Sequence, residues 1–309
     1  MYAMSQPLPP DTAGRVAHGR VASLRQVLPR SKGLLVAPWA ILLLTLLTAC
    51  PLAVNYPDEA GPRYSGDHRT AGAVSAEQEP SSLTVVTFNL AFAENVTEAI
   101  SALTRPPLAG ADVIAMQEMD ASAVDRIARE LGLAYVYYPA SVHQKDGDDF
   151  GNALLSRWPI TEDRKINLPH DDPYHQQHRI AVVATLDLRG TPVQVVSVHN
   201  ATPIVGLSAR LDQSETIIDA VDGMGPVQVI AGDFNTSDPG SLEQTVKLFS
   251  GRGFEWASEG VGDTVDSIIG GLPLDSVFVR GLTPVERGVD RSPAGSDHHP
   301  LWVRFAWPQ

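Results

Sequence analysis

From Leu83 onward, apolar and polar positions alternate in short blocks. Leu83-Thr84-Val85-Val86-Thr87-Phe88 reads as a strand ending at Asn89, and Val113-Ile114-Ala115-Met116-Gln117 as a second ending at Glu118. Between them, Ala91 to Leu103 reads as a helix closed by Pro106 and Pro107. Ser122 to Leu131 is helical in period, with Ala123, Ile127, Ala128 and Leu131 on one face and Gly132 as its C-cap. Short strands follow at Tyr135 to Tyr138, Asn152 to Ser156, Ile180 to Leu188 and Val193 to His199. Ser208 to Val221 has helical spacing, and the apolar run from Pro226 to Ala231 then ends abruptly in Gly232-Asp233-Phe234-Asn235. Leu242 to Phe249 reads as a helix, and Asp275 to Val279 and Leu301 to Phe305 as closing strands. Strands outnumber helices, which predicts an α+β fold: two packed, mainly antiparallel sheets flanked by helices, about 225 residues in all. No Gly-x-Gly-x-x-Gly follows the first strand, so the dinucleotide-binding fingerprint is absent.

Polar groups recur where these strands end. Asn89, Glu118, His199, Asp233 and Asn235 close strands, Asp275 opens one, and Ser296-Asp297-His298 precedes the last. Taken alone, Asp233 and Asn235, followed by Thr236, Ser237, Asp238, Pro239 and Gly240, also make a good turn. A packed sandwich gains nothing from collecting such groups, because buried polar atoms cost stability unless paired. A site at one sheet edge does gain. The oxygens of Asn89, Glu118 and Asp297 suit a hard cation such as Mg2+ rather than zinc. Two histidines with acid partners can orient a phosphate or move protons. His170, His175 and His178 with Asp171 and Asp172 are expected to form a solvated polar loop rather than a second metal site.

Composition bounds the rest. The 309 residues are 43% hydrophobic and 6% aromatic, enough for one sizeable core. Arg20, Arg25, Arg30 and Lys32 precede an apolar stretch from Gly33 to Ala49, which closes on Leu47-Thr48-Ala49-Cys50. Residues 1–49 therefore read as a signal peptide resembling that of bacterial lipoproteins, with Cys50 the lipidated residue. An uncleaved signal anchor is the alternative, since about 17 apolar residues is borderline for spanning a bilayer. Residues 50–81, rich in Pro, Gly, Ser and charge, read as a flexible tether, and 82–309 as the catalytic domain. Residues 1–50 hold five basic and one acidic side chain, so the net charge of −13 leaves −17 for residues 51–309. So acidic a chain is a poor partner for duplex nucleic acid. The expectation from these features is a protein at the cell envelope, lipid-anchored and facing the exterior or periplasm, and a monomer is expected although nothing in the sequence gives the oligomeric state.

The ordered series Thr87-Phe88-Asn89, Gln117-Glu118, Gly151 to Arg157, His199, Gly232-Asp233-Phe234-Asn235, Leu274 to Val279 and Ser296-Asp297-His298-His299-Pro300 resembles the endonuclease/exonuclease/phosphatase superfamily of DNase I-like proteins. The resemblance runs from about Leu83 to Phe305 and implies a four-layered α/β sandwich with metal-dependent hydrolysis of a phosphodiester or phosphomonoester. On the matching positions it implies Glu118 as the principal Mg2+ ligand (Mn2+ as a substitute), with Asn89 and Asp297 nearby. Asp233 would orient or deprotonate the attacking water, Asn235 hold the phosphate, and His199 and the pair His298–Asp275 stabilise the transition state. Asn152 and Arg179 are the candidates for substrate contact.

The chain departs from the pattern at Asn200, where Leu is common, at Ala91, where some DNA-repair members carry an acid, and at Ser276, where Tyr is frequent. These departures weaken the abasic-site nuclease branch. The expected activity is a phosphoesterase acting on a lipid headgroup, an inositol phosphate or a nucleic acid. A secreted DNase-like endonuclease and a catalytically silent, envelope-tethered binding module are the alternatives.

Overall fold

The computed structural model describes residues 52–70, 82–143, 147–268 and 270–307. Two short strands come first, β1 (Val54–Asn55) and β2 (Tyr64–Asp67). After them come β3 (Ser82–Asn89), helix α1 (Val96–Leu103), β4 (Val113–Met119) and α2 (Ala121–Leu131). A run of strands continues through β5 (Ala134–Val142), β6 (Asp149–Ser156), β7 (Ile160–Asn167), β8 (Ile180–Leu188) and β9 (Thr191–His199). A 3-10 turn at Pro203–Val205 leads to α3 (Leu207–Val221), β10 (Val227–Asp233) and α4 (Pro239–Gly251). The chain closes with β11 (Glu255–Trp256), β12 (Val265–Ser267), β13 (Gly270–Leu272), β14 (Asp275–Arg280), β15 (Thr283–Val289) and β16 (Leu301–Ala306).

The strands form two sheets. One has the order β1-β5-β6-β4-β3-β16-β15, with β2 also paired to β5; the other has the order β11-β14-β10-β9-β8-β7. β3 with β4 and β9 with β10 are parallel, and the remaining pairs in both sheets are antiparallel. Alternate residues of each central strand point to opposite faces. On β3, Leu83 and Val85 enter the core between the sheets, whereas Val86 and Phe88 face α1 and α2. On β10, Val229 and Ala231 face inward while Ile230 packs with Ile217, Ile218 and Phe249 of α3 and α4. The result is the expected four-layered α+β sandwich. Strands buried on both faces explain the near-continuous apolar runs in the sequence.

Local chemistry sets the helix ends. The Asp120 carboxylate accepts from the N–H groups of Ser122 (2.8 Å) and Ala123 (2.9 Å), and Gly132 (φ 65°) stops α2 in the left-handed region. Pro239 starts α4 behind a capping box between Asp238 and Ser241. Helix α1, expected from Ala91, begins only at Val96. Asn89 Oδ1 accepts the Ala91 N–H at 3.1 Å, and Ala91, Phe92 and Ala93 all have positive φ, so this stretch is a turn.

The expectation of a flexible tether over 50–81 is corrected for residues 52–70. β1 and β2 add to the free edge of β5, Val54 opposite Val142 and Tyr64 opposite Tyr137. The buried Lys165 amine donates to the carbonyls of Tyr56 (2.7 Å) and Gly61 (3.1 Å), and Asn167 Nδ2 donates to that of Pro57 at 2.7 Å. An unpaired sheet edge and a buried cation fix this segment, and neither is a local property of its sequence. Strands β7 and β15 also went unanticipated, because solvent-facing charges at the sheet edges, Glu162 and Arg164 on β7 and Glu286 and Arg287 on β15, interrupt their apolar patterns. The signal segment and Cys50 lie outside the described residues.

Candidate active site

The register of the strands gathers the polar ends at one edge of the sandwich. Asn89 pairs with Gln117 on one sheet; Asp233 pairs with both His199 and Asp275 on the other. Gly232 allows this approach, since a Cβ there would lie 2.1 Å from the Val198 carbonyl oxygen. Glu118 (φ 58°) and Asn235 (φ 54°) both adopt left-handed backbone where they turn into the site. Non-glycine residues held in that region cluster at functional sites.

Asn89 is the bridge between the two sheets. Its Nδ2 lies 3.1 Å from Glu118 Oε1 and 3.1 Å from Asp233 Oδ2, donating to both. Beyond it, His199 Nε2 stands 3.6 Å from Asp233 Oδ2 and 3.8 Å from Glu118 Oε1. The buried Arg179 guanidinium donates through Nη1 to the same imidazole, 3.1 Å from Nε2. On the opposite side, His298 Nδ1 is 2.8 Å from Asp275 Oδ2, and its Nε2 lies 3.9 Å from Asp233 Oδ2. Ser296 Oγ donates to the Asn89 carbonyl (2.7 Å) and accepts the His298 N–H (3.1 Å), which fixes the last loop against β3.

Charge follows from this burial. Desolvation, with Asp275 and Glu118 adding to it, pushes the Asp233 carboxyl up to about 7 against the pull of His298. Burial would lower His298, but Asp275 and Asp233, with Asp297, outweigh it and raise the imidazole to about 10. His199 falls well below its ordinary range, chiefly by burial and then by the neighbouring Arg179 and His298. Burial raises Glu118, while Arg179 and the Asn89 hydrogen bond oppose the rise. The site thus holds a protonated imidazole, a neutral one, a permanent guanidinium cation and a carboxyl poised to exchange a proton near neutrality.

A sequence model of the endonuclease/exonuclease/phosphatase family matches residues 86–298, which span every one of these groups. The chain belongs to that family. Members of the family are hydrolases of phosphoester bonds. Solved structures repeat the fold. A family protein from Leptotrichia buccalis superposes with a TM-score of 0.59 at 20% identity, covering 73% of this chain and 100% of its own. Danio rerio TDP2, in complex with a single-stranded DNA product, gives 0.60 at 16% identity over 74% of this chain and 100% of its own. The mannosyl-6-phosphatase of Bacteroides thetaiotaomicron gives 0.55 at 18%, over 73% and 100%. Among curated proteins, a UPF0294 protein of Vibrio cholerae is 31% identical over 136 residues, 43% of this chain and 47% of its own. The chain spans less than half the length of the curated relatives it matches.

Family membership brings a divalent cation into question. Among the described residues no group of three or more His, Cys, Asp and Glu is arranged to hold one. Mg2+, however, needs only one or two carboxylates beside its waters. Glu118 and the exposed Asp297 supply two, close enough that Asp297 raises the Glu118 carboxyl. The donor set therefore fits. Asn89 fits less directly, because its amide nitrogen, not its oxygen, faces Glu118.

Other sequence candidates find varied places. Asn235 Nδ2 donates to the Asn200 carbonyl at 3.0 Å, and its N–H donates to Asp233 Oδ1 at 2.8 Å, which ties it into the site. Asn152 is buried, and its amide donates to the carbonyls of Ile180 (2.9 Å) and Ser197 (3.3 Å); it binds the two sheets together. In the 170–178 loop, Asp171 pairs with His178, His170 with Asp212, and Asp172 Oδ1 accepts the N–H groups of Tyr174 and His175. His299 pairs with Asp266 at 3.0 Å, away from the central cluster.

Sequence reasoning missed an aromatic series at the site's margin. Phe150 lies 5.8 Å from the His199 ring and beneath Arg179, and Phe92 stacks on His143 at 4.2 Å and leans on Phe150 at 5.6 Å. Its signal was the adjacency of Phe92 to Asn89 and of Phe150 to the Gly151-Asn152 motif.

Proposed function

We infer that this protein is a divalent-metal-dependent phosphoesterase that hydrolyses a phosphodiester or phosphomonoester by in-line attack of water. The observation that carries the reading is the position of Asp233. It lies within 3.1 Å of Asn89 Nδ2, 3.6 Å of His199 Nε2 and 3.9 Å of His298 Nε2, with a proton affinity matched to neutral solution.

Glu118 and Asp297 would hold Mg2+, with Mn2+ as a substitute, and the bound cation supplies charge to polarise a phosphoryl oxygen. Asp233 accepts a proton from the attacking water as its oxygen bonds to phosphorus and the bond to the leaving oxygen breaks, the alkoxide then taking a proton from solvent. His298, kept protonated by Asp275, donates from Nε2 to a phosphoryl oxygen where charge accumulates. Arg179 adds fixed positive charge on the far side, and the neutral His199 ring takes its hydrogen bond. Asn235 positions the phosphate beside Asp233. For the substrate, a lipid headgroup or small phosphoester is favoured over duplex nucleic acid by the charge of −17 on residues 51–309. The apolar segment ending at Cys50 supports attachment to the cell envelope.

Hydrolysis of sphingomyelin, phosphatidylinositol phosphates, soluble inositol phosphates and plasmid DNA with added Mg2+ tests the reading. Turnover of one class is expected, lost on chelation and reduced at least ~100-fold in Glu118→Gln or Asp233→Ala, the scale of a general acid–base contribution. Near-normal turnover by Glu118→Gln would overturn it.

A further inference from the structure

Eight large hydrophobic side chains are exposed among the described residues, and six of them stand at one edge of the sandwich. Phe92 follows Asn89 at the end of β3, and Ile204 follows His199 at the end of β9. Tyr174, 63% exposed, lies in the loop that delivers Arg179. Ile268 is fully exposed in the turn between β12 and β13, and Val265 of that hairpin bridges to His298. Leu52 and Val54 complete the set. β1 is antiparallel to β5, and its Val54 lies opposite Val142, so the segment enters the domain at this same edge. The Ala53 N–H donates to the His175 carbonyl at 2.7 Å, and Asn55 Nδ2 donates to that of Gln176, which joins the entering chain to the Tyr174 loop. The other two exposed side chains, Tyr64 and Val285, lie away from this edge.

Single exposed hydrophobic residues are ordinary, but six of them at the edge that carries the polar site mark an interaction surface. The occupant is indicated by where the chain leads. Cys50 precedes Leu52 by two residues, and two residues of extended chain reach about 7 Å. In sequence, the apolar segment that ends at Cys50 is thus separated from Leu52 by Pro51 alone, with no long linker between them. Asp171 and Asp172 stand on the loop of Tyr174, Asp266 in the hairpin of Ile268, and the exposed Asp297 in the loop before β16, a set of carboxylates at this edge that disfavours an anionic lipid surface.

We propose that the apolar rim formed by Leu52, Val54, Phe92, Tyr174, Ile204 and Ile268 seats the mouth of the active site on a bilayer of zwitterionic phospholipid. The side chains enter the headgroup layer and the cleft opens onto it, so that phosphoesters displayed at that surface reach Asp233 without leaving the interface. This rests on the phosphoesterase reading only for what happens after docking.

The test uses the full chain carrying Cys50→Ser, reconstituted in phosphatidylcholine vesicles that contain a nitroxide-labelled lipid. A polarity-sensitive fluorophore is attached in turn to Tyr174→Cys, Ile204→Cys, Ile268→Cys and Val285→Cys. The first three labels are expected to shift to the blue and be quenched, while that at position 285 stays as in water. Adding phosphatidylglycerol should weaken the effect. Water-like emission at all four positions, or equal quenching at 285, would overturn the proposal, and stronger docking with phosphatidylglycerol would overturn its choice of lipid. Turnover plays no part in the readout, so an inactive protein that still docks, or an active one that does not, separates this inference from the function.

Discussion

Asp275 holds Nδ1 of His298 at 2.8 Å through Oδ2, while its other carboxylate oxygen, Oδ1, is buried with no hydrogen-bond partner. A carboxylate left half-satisfied in a desolvated place is costly, and the imidazolium beside it is what offsets the cost. The pair acts as a unit: removing the charge of Asp275 should release the proton of His298.

That gives the first prediction. In Asp275→Asn, burial acts on His298 against only the charges of Asp233 and Asp297, so its pKa should fall from about 10. The alkaline limb of turnover should move down with it, and the loss should be on the order of 100-fold at pH 8 and smaller near pH 6, as for a lost donor to the charge of the transition state. A pH profile of kcat measures this. An unmoved alkaline limb would remove His298 from the role of proton donor.

Stability of the chelated protein should also depend on pH, with a definite sign. His298 keeps its proton in the fold up to about pH 10 but releases it near 6.5 when unfolded. Between those values the folded state binds the extra proton, so stability declines as pH rises through that window. Asp233, raised to about 7 from 3.8, contributes a decline of the same sign at lower pH. Urea unfolding at intervals from pH 7 to 10 should show a loss of a few kcal/mol in the wild type and a flatter profile in His298→Asn. Parallel profiles for the two proteins would show that the imidazole titrates alike in both states.

A third prediction concerns the entering segment. Lys165→Met keeps volume but removes the amine that donates to Tyr56 and Gly61. The exposed carbonyls would then have to rehydrate, at about 1–3 kcal/mol of local stability. Amide exchange at residues 54–61 should accelerate at least ~10-fold, while exchange in β9 and β10 stays unchanged. Unaltered exchange at 54–61 would mean that pairing with β5 alone holds the segment.

Much of the site was legible because the fold makes polar strand ends conspicuous. β3, β4, β9 and β10 are buried on both faces, so Asn89, Glu118, His199 and Asp233 interrupt otherwise apolar runs. Gly132 and Asp120 likewise act through the backbone next to them, and α2 lay where its capping residues put it. What stayed hidden depends on distant partners. β1 and β2 are strands only because β5 has a free edge and Lys165 waits beneath them. The turn at Ala91 to Ala93 reads as helix by composition and is diverted by the one hydrogen bond that the Ala91 N–H donates to Asn89 Oδ1. Asn152 carries the same polar type as Asn89, yet its neighbours turn it into a fastener between strands.

Asn89 belongs to one sheet, and Asp233, which it holds at 3.1 Å, belongs to the other. The candidate site is therefore split across a seam. Neither half can be carried by its own sheet, and the seam is closed by side-chain packing rather than by backbone ladders. A slide of one layer over the other by even an ångström would part Asp233 from Asn89 and Glu118 while leaving both sheets intact. Activity should accordingly be the most sensitive gauge of the sandwich's alignment, fading under mild denaturant before circular dichroism records any change.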